Sequence, residues 1–178
     1  MQDSSFEILL YLDYRSIINS CKAYPHYFRI CKMPYFWEKK ALLDFNISKE
    51  AFRTIAERDN KARYEYLMNT SPKKGLLEES KNGNIDLVKY FIAQGANNYN
   101  YSAGFAAKHG HIDIIEFMIS QDLTDDYNWI MDNAARGGHI NIVRMMLSLG
   151  AGDYRSAIKS AAENGHDDIV DLIESYIN

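Results

Sequence analysis

Apolar positions recur with a helical spacing through the second half of the chain, and the spacing itself repeats. Leu87 and Val88, Ile114 and Ile115, Ile142 and Val143, and Ile169 and Val170 stand four and five residues after Gly83, Gly110, Gly138 and Gly165. Phe91, Met118, Met146 and Ile173 stand eight after the same glycines, which are 27, 28 and 27 residues apart. Offsets of four, five and eight share one face of an α-helix, so the pattern predicts a helix of about ten residues after each glycine.

The residues before each glycine repeat as well. Ala106 and Ala107, Ala134 and Ala135, and Ala161 and Ala162 lie four and three positions upstream, where small side chains let helices approach closely. Tyr99, Tyr127 and Tyr154 lie eleven upstream as packing wedges. One residue earlier come Ser71, Asn98, Asp126 and Asp153, all helix-capping types, with Pro72 at a first helical position. Each unit therefore reads as helix, glycine turn, helix, and such a pair buries its apolar face only by stacking on a neighbour. Asp167, Asp171 and Glu174 give the last unit a polar outer face, and Glu79 and Ser80 replace the alanine pair in the first.

The segments AAKHGHIDIIEFMI, AARGGHINIVRMMLSLGA and AAENGHDDIVDLI resemble the ankyrin-repeat pattern over residues 71 to 178. The period is about six residues short of the usual ~33, and the opening Thr-Pro-Leu-His is absent. The missing length falls where the family has its β-hairpin fingers, so four short repeats without hairpins are expected. They look like the shortened type associated with large DNA viruses.

Residues 1 to 45 are rich in Leu, Ile and aromatics and are punctuated by Pro25 and Pro34, which predicts a knot of short helices. Residues 46 to 70 read as a charged helical connector, with starts at Ser48 and Asp59. The run EILLYLD, SIINSCK and MPYFWEKKAL resembles an F-box, the module that binds the Skp adaptor of cullin-RING ubiquitin ligases. The resemblance implies an adaptor contact through Leu9, Leu12, Ile17 and Phe36. The family's Leu-Pro-x-Glu opening has no counterpart here.

Composition narrows the chemistry. The net charge of −4 carries no basic footprint for nucleic acid or anionic membrane. No apolar run approaches the ~20 residues of a spanning helix, and an intracellular, cytoplasmic protein is expected, in the host cytoplasm if it is viral. Cys21 and Cys31 read as reduced, packed thiols. His111, His139 and His166 occupy equivalent repeat positions, which predicts a ladder and not a converging metal site. No cofactor, metal, small-molecule substrate or catalytic constellation is expected, and the chain reads as non-enzymatic.

One face of the first helix in each repeat stands out. Lys74, Tyr101, Phe105, Lys108, Trp129, Asn133 and Arg136 share a side away from the alanine pairs, a mixture of aromatic and basic residues typical of protein-binding hot spots. The competing expectation is that Tyr101, Phe105 and Trp129 pack on the neighbouring repeat in place of the missing hairpins. The expected fold is all-α, an F-box-like domain followed by a repeat solenoid. The expected function is an adaptor joining a target protein to a Skp-containing ligase, or else a binding scaffold whose first domain only caps the repeats.

Overall fold

The computed structural model describes residues 4 to 57 and 59 to 177. The described residues form fourteen α-helices and no strand, and they divide into two compact units, Met1–Thr70 and Ser71–Asn178.

In the first unit, α1 (Ser4–Leu10), α2 (Tyr14–Ala23), α3 (Pro25–Cys31) and α4 (Pro34–Phe45) follow one another with almost no connecting chain. Pro25 and Pro34 sit at the first turns of α3 and α4, where the missing N–H costs no helical bond. Asp13 starts α2 by accepting from the Ser16 amide, and Asn46, in the left-handed region at φ 49°, ends α4. Next come α5 (Lys49–Thr54) and α6 (Asn60–Asn69), capped by Ser48 and Asp59 through the amides of Ala51 and Ala62. The segment read as a connector supplies Phe52, Ile55 and Tyr64 to the buried interior.

That interior is built on Trp37, whose ring meets Phe36 edge-on at 5.1 Å and Tyr64 at 5.4 Å, while its N–H donates to the Cys31 carbonyl at 2.8 Å. Burial, reinforced by donation to Glu65, pushes the Tyr14 hydroxyl up to about 12. Tyr64 donates to Asp44 at 2.6 Å, and Asp44 also takes the buried Lys40 ammonium at 2.6 Å. Glu38, with 6% of its side chain exposed, receives Lys49 at 3.2 Å and Arg53 at 3.1 Å. Each deeply placed charge thus has a partner, as burial requires.

Two expectations are corrected here. Cys21 and Cys31 form a disulfide: α3 folds back beside α2 and brings their Cα atoms to 6.3 Å, a separation a disulfide can span. Their ten-residue spacing alone could not show this, because it depends on the turn at Tyr24. Leu9, Ile17 and Phe36, assigned to an adaptor surface, are 0% exposed. Of the four residues the resemblance singled out, only Leu12 is within a partner's reach.

In the second unit the inner helices are α7 (Pro72–Asn82), α9 (Tyr99–Lys108), α11 (Tyr127–Gly137) and α13 (Tyr154–Glu163). Each is followed by an outer helix: α8 (Ile85–Ala93), α10 (Ile112–Ser120), α12 (Ile140–Ser148) and α14 (Asp167–Ile177). Inner helices pack in series, α7 on α9, α9 on α11 and α11 on α13, and Ala103, Ala106, Ala107, Ala134, Ala135 and Ala161 are fully buried along that seam. The paired aliphatics Ile114 and Ile115, with Met118, close the layer between inner and outer helices, as do their equivalents in the other repeats.

Both helices of most repeats end in the same way. Gly110 takes a φ of 82°, which lets the His111 amide reach back to the Ala106 carbonyl at 2.9 Å; His139 and His166 repeat the bond to Ala134 and Ala161. After the outer helices, Gly95 and Gly150 serve Ala96 and Ala151 alike. Asp122 stands in for the glycine in the second repeat, at φ 53°.

Candidate functional site

The inner helices form one face of the repeats, and its geometry follows from how successive repeats are fastened. On the turn side, a carbonyl can only accept, so His111 donates its Nε2–H to Lys81 at 3.0 Å and His139 to Lys108 at 3.1 Å. The rings lie on the preceding glycines: a Cβ at Gly83, Gly110 or Gly138 would come within 2.5, 2.6 and 2.6 Å of His111, His139 and His166. This is the expected ladder, with a structural use for each imidazole. Among the described residues no group of His, Cys, Asp and Glu is arranged to hold a metal.

On the loop side, where hairpins would project, side chains hold the connections down. Asn128 accepts from the amides of Gly152 and Asp153 at 2.8 and 2.9 Å. Asn100 accepts from Thr124 at 2.7 Å, and Asn98 donates to the Lys73 carbonyl at 3.1 Å. Asn98 therefore does not cap α9 as its position suggested, and the Ser71 side chain makes no cap bond either; Asp126 and Asp153 do cap their helices. Asn100 and Asn128 both stand ten residues before a turn glycine, which is the sequence signal for this ladder.

Of the residues expected on the binding face, Lys74, Tyr101 and Lys108 are exposed, Tyr101 to 65%. Phe105 is half-buried. Trp129 is half-buried and packs across the repeat boundary, its Nε1 only 2.2 Å from where a Cβ on Gly104 would stand. The absence of a side chain at Gly104 makes that approach possible. The Tyr101 ring meets Trp129 edge-on at 6.1 Å, and the two line a hollow of about 260 Å³ with Asn100 and Asp126.

Asn133 corrects the expectation: it is 5% exposed and its amide donates to the Trp129 carbonyl at 2.9 Å, so it belongs to the interior. Arg136 keeps 42% of its side chain exposed while bonding Asp132 at 3.1 Å. Asp132, which periodicity gave no reason to choose, is a buried carboxylate that also accepts from Ser156 at 2.9 Å and Ser160 at 2.6 Å. It ties the third repeat to the fourth.

A family model, Ankyrin repeats (3 copies), matches residues 76–155 and 105–178. The chain belongs to the ankyrin-repeat family. Ankyrin repeats make it a protein–protein interaction module. Its ankyrin units are shorter than the usual length, and no strand occurs among the described residues. A comparison with curated proteins finds no match. No described helix is long and apolar enough to cross a membrane.

Charge is sorted between the ankyrin layers although the unit as a whole is acidic. The inner helices expose Lys73, Lys74, Lys81, Lys108, Arg136, Arg155 and Lys159, against Glu163 and the part-exposed Glu78. The outer helices expose Asp86, Asp113, Glu116, Asp167, Asp168, Asp171 and Glu174 against Lys89 and Arg144.

Proposed function

We propose that the repeats bind an acidic protein surface across the inner helices, with Tyr101 and the edge of Trp129 as the apolar centre and the basic side chains around them. The observation that carries this reading is the sorting of exposed bases to the inner helices and acids to the outer ones. Complementary potentials select partners and set their orientation. The test is capture of proteins by the full chain and by a Tyr101→Ala, Lys108→Glu variant. Acidic partners retained by the first and lost by the second, with melting unchanged, support the face; identical capture removes it.

In the same reading the first unit engages a second protein, which the F-box resemblance identifies as a Skp adaptor, making the chain a recruiter of targets to a cullin-RING ligase. Ile8, Tyr11 and Tyr35 are exposed to 54%, 80% and 59%, and with Leu12 they replace the buried Leu9, Ile17 and Phe36 as the contact. Large exposed apolar groups on a folded unit mark partner surfaces. Purified Skp should bind the full chain and lose Tyr11→Asp. The consumption of Leu9, Ile17 and Phe36 by the unit's own core favours the alternative, a binding scaffold with no ligase role, and the absence of any Skp signal would establish it.

A further inference from the structure

The first unit carries a cleft of about 650 Å³ lined by α2, α3, α6 and Trp37 of α4. Its floor is apolar: Ile18, Pro25, Phe28, Trp37 and the Cys21–Cys31 disulfide. Trp37 closes the bottom of the cleft but is only 2% exposed, its ring packed on Phe36 and Tyr64 and its N–H occupied by the Cys31 carbonyl, so it offers no hydrogen bond. Phe28 stands 49% exposed and forms an apolar wall of the cleft.

The rim is basic. Lys22 on α2, Lys32 at the end of α3 and Lys61 on α6 line the cleft, and no described lining residue is acidic. Lys32 sits 4.3 Å over the Phe28 ring, and Lys61 reaches Glu65 at 3.1 Å. Neither Lys22 nor Lys32 has a carboxylate partner among the described residues.

We infer that this cleft receives a short acidic segment of another protein, which seats one large apolar side chain against Phe28, Ile18 and Pro25 and sets Asp or Glu residues on either side against the lysines. The volume falls within the ~300–1,000 Å³ typical of ligand pockets, room for one large side chain and its neighbouring backbone. Charges placed on three separate helices around an apolar floor fit several spaced carboxylates, whereas a fatty acid brings only one. The inference is independent of the reading of the repeats and of Skp.

The experiment titrates the full chain into fluorescein-labelled peptides of about ten residues, each with a single Phe, Leu or Trp between two pairs of Glu, and reads anisotropy. At least one should saturate with Kd between about 1 and 100 μM. Replacing its Glu by Gln, or replacing Lys22 and Lys32 together by Glu, should each weaken binding about tenfold or more, and added salt should weaken it further. Phe28→Ala should act likewise, while Tyr101→Ala in the repeats leaves the curve unchanged. The exposed lysines allow folding to be checked by melting, and Lys22→Gln with Lys32→Gln serves if the charge reversal unfolds the chain. Failure of every peptide to saturate below about 1 mM, equal binding by the lysine variants, or saturation by dodecanoate in the absence of peptide binding would each overturn the inference.

Discussion

The imidazole of His139 lies against Gly110 so closely that a β-carbon there would stand 2.6 Å from its Cε1, and the same ring donates to the Lys108 carbonyl. Gly165 has a similar φ, 76° against 82°, but nothing within 4 Å of its missing Cβ. The pair therefore separates backbone strain from packing. Gly165→Ala should cost about 1–2 kcal/mol, the penalty of a left-handed Ala. Gly110→Ala should cost more by at least about 1 kcal/mol, because a packed ring must move. Combining it with His139→Ala should return part of that excess in a double-mutant cycle measured by urea unfolding. Strictly additive costs would mean that the ring and the glycine are not coupled.

Asp122 occupies the left-handed position that Gly95 and Gly150 fill in other repeats. Asp tolerates that region at a cost glycine does not bear, although glycine also loosens the unfolded chain. Asp122→Gly should therefore stabilise by up to about 1 kcal/mol, read as a raised urea midpoint. A lowered midpoint would show that the carboxylate has a local role.

Asp132 is buried and holds three donors from two repeats. Asp132→Ala should destabilise by about 2–4 kcal/mol, since Ser156 and Ser160 lose their acceptor and Arg136 its partner. Hydrogen exchange should report the loss mainly in α11 and α13. Uniformly faster exchange across the repeats would argue against so local a tie.

Burial works to raise the Glu38 carboxyl, but hydrogen bonds from Lys49 and Arg53 outweigh it and hold the group below its ordinary 4.5. A depressed folded-state pKa contributes stability that is complete above the unfolded value and is lost as pH falls through the folded one. The melting temperature of the chain should thus drop more steeply below about pH 4.5 than that of Glu38→Gln. Parallel pH profiles for the two proteins would exclude Glu38 as a source of acid lability.

The repeats were legible because their determinants are local and recur: Gly83, Gly110, Gly138 and Gly165 all take positive φ, and the aliphatic pairs after them are buried. The packing of the inner-helix face was legible only in part. Helical spacing placed Tyr101, Trp129 and Asn133 on one side, but not that Gly104 would admit the indole or that the Asn133 amide would turn inward to the Trp129 carbonyl. In the first unit, Pro25 and Pro34 marked helix starts from sequence alone. Whether Leu9, Ile17 and Phe36 face a partner or each other depends on how six short helices cross, and a single helix's periodicity carries no record of that.

With bases gathered on one layer of helices and acids on the other, the repeat unit is an electrical dipole. Its field acts before any contact forms, turning the inner helices toward an oncoming acidic surface and speeding productive collisions. Raising the salt concentration should accordingly slow association by more than it hastens dissociation, as stopped-flow mixing with a captured acidic partner would reveal. Equal changes in the two rates would mean that the sorted charges act only after docking.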